Sequence, residues 1–449
     1  MSNPLPSFKW LYPGMRVKRW IALAAIGIVI GLLGAGLLLK GRPVDALALP
    51  NAIIRWTAQR ARVDVIHHPA AFWVGAALAA LGLGLVFASV HRLASSISSA
   101  LVPGGGRSRI ADTVYRNRYL AQGPRVVAIG GGTGLSTMLR GLKQYTSNIV
   151  AVVTVTDDGG SSGKLQTQLN ILPPGDIRNC LVALADAEST MLDLFQYRFH
   201  GPDVSEGLRD HAFGNLLIAA MSGISGGDFE EAVRRTSHVL NIRGRVLPST
   251  LKRISLKAEM EDGSILQGET TIASSKKRIR KIWLDPPDAS PLDEVLEAIA
   301  LADVIVIGPG SVFTSVIPNL LVRGIPEALH KSRARKVYIC NVMTQPGETD
   351  GFSASDHVKA ISVHVQRPVF DYVMVNTGVP TLELLNKYRQ SGAILVEPDT
   401  DRIRAMGYKP IRGSFISQTD VVRHDAARLA EAIMKLVPKG RRGPGILSF

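Results

Sequence analysis

Residues 126–163 narrow the choice of fold more than any other stretch. An apolar run, Val126-Val127-Ala128-Ile129, meets Gly130-Gly131-Gly132-Thr133-Gly134. A helix-compatible segment follows, then a second apolar run over 149–155. That run ends in Thr156-Asp157-Asp158-Gly159-Gly160-Ser161-Ser162-Gly163. Strand, helix and strand, each strand closed by a glycine-rich turn, is the β-α-β unit of a parallel sheet. Both turns fall on one edge of that sheet. Ligands of open parallel sheets bind there, outside the carboxyl ends of the strands, where backbone N–H groups and helix N-termini point outward.

The pattern continues. Strands are expected over 281–284, 304–307, 337–342, 372–375 and 394–396, with helices over 292–301, 354–365 and 381–390. Such alternation predicts an α/β domain with a doubly wound, mostly parallel sheet over residues 124–437. Residues 245–275 read differently: apolar and polar residues alternate about an Asp262-Gly263 turn, which predicts a β-hairpin insertion.

The region before this domain has another character. Residues 20–39 and 70–90 are free of charge, and each is long enough to cross ~30 Å of hydrocarbon. Trp20 and Trp73 lie near the span ends, where indoles favour the interface. The first span is too long for a signal peptide, and a second follows it. Residues 1–94 are therefore expected to form a transmembrane hairpin, 95–123 a Ser-, Gly- and Arg-rich linker, and 438–449 a basic tail. Nine basic residues flank the pair (Lys9, Arg16, Lys18, Arg19, Arg92, Arg107, Arg109, Arg116, Arg118) against five between the spans (Lys40, Arg42, Arg55, Arg60, Arg62). The excess places both termini and the globular domain in the cytoplasm, at the inner membrane. Gly27 and Gly31 form a small-xxx-small pair suited to packing the two helices.

The formal charge of +15 does not point to nucleic acid. Residues 1–125 hold 15 basic and 3 acidic residues, and the last fifteen add four more cations. The rest, 126–434, carries 33 basic and 34 acidic residues, so the globular domain has no nucleic-acid footprint. Cys180 and Cys340 stand in apolar contexts outside any metal-spaced cluster, and read as buried reduced thiols.

Several groups can carry chemistry. Gly130, Gly131, Gly132, Thr133 and Gly134 only partly match a dinucleotide fingerprint, since its third glycine falls at Thr137; the run suits a phosphate at a helix N-terminus. Residues 156–163 are not a P-loop, because Leu165 follows Lys164. Asp157 and Asp158 at the strand end could grip a ribose, hold Mg²⁺ or act as a base, with Gly159, Gly160, Ser161 and Ser162 beside them; helix capping is the simpler alternative. In Pro173-Pro174-Gly175-Asp176-Ile177-Arg178-Asn179, Asp176 suits a helix N-cap or a ligand contact. Arg178 opposes the helix macrodipole unless an anion sits there. His211 and Asn215 open another helix and could reach a ligand. Gly308-Pro309-Gly310-Ser311 forms a second strand–loop–helix anion site, and Asn341 ends the next strand on the same edge. No nucleophile–His–acid triad is visible.

Together these segments resemble the gluconeogenesis-factor family (YvcK-like) and, more widely, the CofD-like superfamily of 2-phospho-L-lactate transferases. The resemblance covers about 126–435 and rests on six motifs in family order: Gly-Gly-Gly-Thr-Gly-Leu at 130–135, Thr-Asp-Asp-Gly-Gly-Ser-Ser-Gly at 156–163, Pro-Pro-Gly-Asp-Ile-Arg-Asn at 173–179, His-Ala-Phe-Gly-Asn at 211–215, Gly-Pro-Gly-Ser at 308–311 and Met-Thr-Gln-Pro-Gly-Glu-Thr-Asp at 343–350. It implies a Rossmann-like core that binds a UDP-sugar such as UDP-N-acetylglucosamine, and a role in cell shape and envelope synthesis. The resemblance implies a family in which most members are soluble, so the hairpin stands as an addition, and Phe313 replaces a tyrosine common among the relatives.

The expected function is thus a membrane-tethered, nucleotide-sugar-binding regulator that needs no cofactor beyond a Mg²⁺ bridging Asp157 and Asp158 to phosphate. Its expected partners are an envelope-synthesis protein and a second copy of the chain. The alternative is an enzyme that transfers phospholactate from a guanylyl-activated donor to a deazaflavin. A nicotinamide oxidoreductase is a distant third, since no catalytic His or Tyr–Lys pair is evident.

Overall fold

The computed structural model describes residues 18–39, 52–53, 56, 70–101, 119–187, 189–418 and 421–438. The chain divides into two compact units, Met1–Tyr115 and Arg116–Phe449.

In the first unit, α1 (Lys18–Leu38) and α2 (Ala70–Leu101) pack antiparallel. Both are long and apolar enough to cross a membrane. Gly27 and Gly31 pack on Gly82, and Gly34 on Gly75. A Cβ at Gly82 would lie 2.4 Å from the Gly31 nitrogen, so only glycine permits this approach. Trp20 stacks beneath both Arg19 and Arg92, which holds the start of α1 level with the Arg92 turn of α2. The outward faces carry Phe72, Trp73, Leu83 and Phe87, all exposed. Residues 95–101, expected as linker, instead continue α2.

The second unit begins before residue 124. Leu120 is buried, and Asn148 Nδ2 donates to the carbonyls of Ala121 (2.8 Å) and Gly123 (2.7 Å). Here β1 (Val126–Gly130), α3 (Gly132–Leu142) and β2 (Ile149–Val153) form the expected β-α-β unit. Next come α4 (Gly160–Leu169), α5 (Gly175–Leu184), α6 (Ser189–Gln196), α7 (Phe213–Ile224), α8 (Phe229–Leu240) and β3 (Arg245–Pro248). An insertion follows, of β4 (Ser255–Met260), β5 (Ile265–Gln267), α9 (Glu269–Ser274) and β6 (Ile279–Asp285). The doubly wound pattern resumes with α10 (Asp293–Leu301), β7 (Val304–Ile307), a π-helical turn (Val312–Val316), α11 (Ile317–Leu321) and α12 (Ile325–Lys331). It ends with β8 (Arg335–Ile339), α13 (Ala354–Val365), β9 (Tyr372–Asn376), α14 (Leu382–Gln390), α15 (Thr400–Ala405), β10 (Lys409–Gly413), β11 (Ile416–Gln418), β12 (Val422–His424) and α16 (Ala426–Leu436).

Seven strands in the order β10-β9-β8-β7-β1-β2-β3 pair in parallel throughout. The central strands β1 and β7 are buried at every residue, as a sheet covered on both faces requires. The chain moves outward from β1 in one direction through β2 and β3, and from β7 in the other. The switch point, where a crevice opens at the carboxyl edge, therefore lies between β1 and β7.

Three expectations need correction. Residues 281–284 belong to β6, in an antiparallel sheet β5-β4-β6, and not to the main sheet. Their burial alternates, which marks a one-sided strand. Residues 394–396 make only a bridge, Leu395 to Met343. Arg245–Pro248, read as part of the insertion, is edge strand β3. The opposite edge, β10, went unseen because Lys409-Pro410-Ile411-Arg412-Gly413 has a proline and no apolar run, both tolerated at an edge. The insertion does contain the expected hairpin, turning at Gly263 with φ +80°.

Candidate functional site

At the switch point the two glycine loops pack back to back. A Cβ at Gly134 would fall 2.6 Å from the Pro309 carbonyl oxygen, and one at Gly310 would fall 3.2 Å from the Gly131 oxygen. The side chain of Asn319, on α11, ties the crevice together by donating to the carbonyls of Gly130 (3.0 Å) and Ser315 (2.7 Å). Between the loops lies a cavity of about 480 Å³. Of the candidate residues, Gly131, Gly132, Thr133, Gly134, Gly310, Ser311 and Asn341 line it. The amides of Thr133 and Gly134 sit in the first turn of α3 and have no intrahelical acceptor, so they are available to an anion.

The remaining predicted residues stand behind or beside the cavity. Gly130 ends β1, and Gly308 supports the second loop with φ +79°. Asp176 is not an N-cap: Pro174 holds that position, and the carboxylate reaches across to accept the Gly132 amide at 2.7 Å. Burial, and then the neighbouring Asp157, push its pKa up to about 7. Asp157 accepts the Gly159 amide (3.0 Å). Asp158 turns away, accepting the amide and hydroxyl of Thr270 at 2.9 and 2.8 Å and lining a separate cleft.

Ser161 Oγ accepts from Asn215 Nδ2 (3.0 Å), which leaves its own proton for His211 Nδ1 (3.0 Å). Burial and then Lys164 hold the His211 pKa low, consistent with a neutral ring that accepts at Nδ1. Ser162 accepts the Gly175 amide (3.1 Å). Arg178 donates to Asn179 (2.9 Å), while its Nε is buried without a partner; Gly160 begins α4 at φ +45°. Asp157, Asp176, Ser162 and Gly175 thus brace the cradle from behind, and His211, Asn215 and Ser161 fix α4 to α7. Among the described residues no three carboxylate, imidazole or thiolate side chains converge in a metal-holding geometry. Since Asp157 and Asp158 face different partners, their fit to a shared Mg²⁺ is poor.

Four polar lining residues lay outside every motif singled out from the sequence. Glu269 comes from α9 of the insertion, Tyr388 from α14, and Arg423 and His424 from β12. None belongs to a local motif, and only folding brings these distant segments over the cradle. Glu348, within the quoted 343–350 stretch, accepts from the Ser311 and Thr314 hydroxyls. Burial raises the pKa of Glu348, and that of Glu269 well above the carboxylate range. Arg423 is exposed on the cavity wall and is the one Lys or Arg among its described lining residues. Desolvation holds the His424 pKa near 4, against the opposing pull of the Phe415 and Cys340 backbone, so the ring is neutral.

Comparison with known proteins places these features in a family. The sequence model described as 2-phospho-L-lactate transferase CofD matches residues 126–416. The gluconeogenesis factor of Halalkalibacterium halodurans is 51% identical over 316 residues, covering 70% of this chain and 97% of its own. That of Bacillus subtilis is 48% identical over 320 residues, covering 71% and 99%. A relative from Clostridium acetobutylicum, described in similar terms, is 43% identical over 439 residues, 95% of this chain. That alignment extends through the N-terminal helices, so the hairpin is not peculiar to this chain. A crystal structure of a Bacillus halodurans protein superposes with a TM-score of 0.67 at 50% identity, covering 70% of this chain and 99% of that one.

Proposed function

The chain belongs to the CofD family, in the branch of gluconeogenesis factors, and on that basis we propose that it is a membrane-tethered regulator that binds a nucleotide-sugar. The back-to-back glycine loops at the switch point carry this reading. First-turn amides of α3 on one side and the Gly310–Ser311 turn on the other suit the pyrophosphate of a UDP-sugar such as UDP-N-acetylglucosamine. Arg423, which lines the same cavity, is the cation that would meet that charge. Glu269 and Glu348, held toward their neutral forms, remain compatible with an anion beside them.

In this reading the ligand signals envelope-precursor supply to a protein of cell-wall synthesis, and the protein turns nothing over. Exposed Phe72, Trp73, Leu83 and Phe87 on the helix pair support a lipid surrounding, and the charge bias supports a cytoplasmic domain at the inner membrane. Phospholactate transfer is the second reading, favoured by the description of the matching family.

Calorimetric titration of residues 119–449 with UDP-sugars, GDP and NAD, with and without Mg²⁺, tests both. Micromolar binding of a UDP-sugar, weakened about tenfold or more by Arg423→Ala, with ligand recovered intact, is expected. Mg²⁺-dependent GDP binding without response to UDP-sugars would sink the regulatory reading in favour of the transferase.

A further inference from the structure

We propose that the amino-terminal edge of the sheet, around a cavity rimmed by Arg125, Lys331 and Arg333, docks on an anionic lipid bilayer. The cavity holds about 870 Å³ between the ends of α10 and α12, where β1, β7 and β8 begin. Because every strand of the sheet runs the same way, this edge lies at the opposite ends of the strands from the glycine cradle. Docking here would leave the nucleotide site open to the cytoplasm.

The charges are arranged for such a surface. Arg125, Lys331 and Arg333 are exposed, and none has a carboxylate partner among the described residues. The two acids that line the cavity have other tasks: Asp303 accepts the Arg125 amide at 2.9 Å, and Glu327 caps α12 through the Gly324 amide and pairs with Arg367. The macrodipole of α12 accounts for Lys331 in its last turn, but not for Arg125 and Arg333, which stand at strand entries. The domain as a whole is close to neutral, so this concentration is local. Beneath the cations lies an apolar floor that includes Leu296 and Ala302, and Leu301 is 47% exposed. Cations above an apolar floor match a lipid phosphate above its first methylenes.

The path of the chain points the same way. Arg125 leads directly into β1, and Pro438, the last described residue, lines the cavity. The flanking segments 102–118 and 439–449 add seven Lys and Arg against one Asp. Seventeen residues separate Leu101 from Tyr119, a reach of at most ~60 Å. This part of the inference rests on the membrane-tether reading.

Residues 119–438 suffice for the test, because the Bacillus halodurans protein is this domain alone and folds as such. They are sedimented with phosphatidylcholine vesicles and with vesicles containing about a third phosphatidylglycerol, at low and high salt. Binding to the anionic vesicles only, reversed by salt, is expected. Lys331→Glu with Arg333→Glu should cut the bound fraction about tenfold or more, and Lys359→Glu should leave it unchanged, at equal melting temperature. Absence of binding, equal binding by the double variant, or preference for an oligonucleotide over the vesicles would overturn the proposal. The assay contains neither helix, so its failure is distinct from failure of the tether, which carbonate extraction of the full chain reports.

Discussion

Asp176 lies against the glycine turn that follows β1. Its sequence position suggested a helix cap or a ligand contact. Its carboxylate instead reaches from α5 to the Gly132 amide and so shapes the glycine turn from behind. Burial and Asp157 raise its pKa from 3.8 to about 7. A carboxyl raised in this way stabilises the fold relative to its charged state below pH 4, and that contribution is lost as pH rises through 7. Asp176→Asn keeps an acceptor for Gly132 without the charge. It should therefore be more stable than the parent at pH 8, by at most about 4 kcal/mol, with the difference gone near pH 4. Urea unfolding at the two pH values measures this, and an equal difference at both would refute it. Arg423 and Tyr388 illustrate the converse. Nothing near them in sequence marks a site, and only the fold carries them to the cradle.

At the level of elements, the site depends on two loops touching. Gly134 and Pro309 are far apart in sequence, yet a Cβ on Gly134 would lie 2.6 Å from the Pro309 oxygen. Gly134→Val should push α3 from the second loop, abolish ligand binding and cost about 1–3 kcal/mol of stability. Calorimetry with denaturant melts checks both effects, and a variant that binds normally would show that the loops need not meet. Elements buried on both faces were legible, because β1 and β7 are unbroken apolar runs. The misassigned ones were edges. A strand such as β10, hydrogen-bonded on one side and half exposed, needs neither apolar continuity nor freedom from proline. β6 looked like another core strand because its apolar residues are close together, but its alternating burial belongs to an antiparallel sheet.

For the molecule as a whole, the two units set the physiological question. The helices α1 and α2 meet through glycines and carry large apolar side chains outward, which suits lipid better than water. If they span the bilayer, full-length protein should stay in the pellet after carbonate extraction and be released by detergent, while residues 119–449 should be soluble without either. Release of the full chain by carbonate would refute the tether. Relatives exist both with and without a matching N-terminal region.

The sequence by itself determined the architecture of the centre: two apolar strands ending in glycine, a parallel doubly wound sheet with those glycine turns on one edge, and two apolar helices ahead of it. These follow from local rules of burial, chain reversal and backbone freedom, which act within a few residues. Which residues share one cavity was decided by tertiary structure alone. The motifs at 156–163, 173–179 and 211–215 turned out to brace the cradle rather than line it, while Glu269, Tyr388, Arg423 and His424 arrived from an insertion and a C-terminal hairpin. Convergence of this kind depends on strand order and on contacts between segments more than a hundred residues apart, and no spacing within the sequence encodes it.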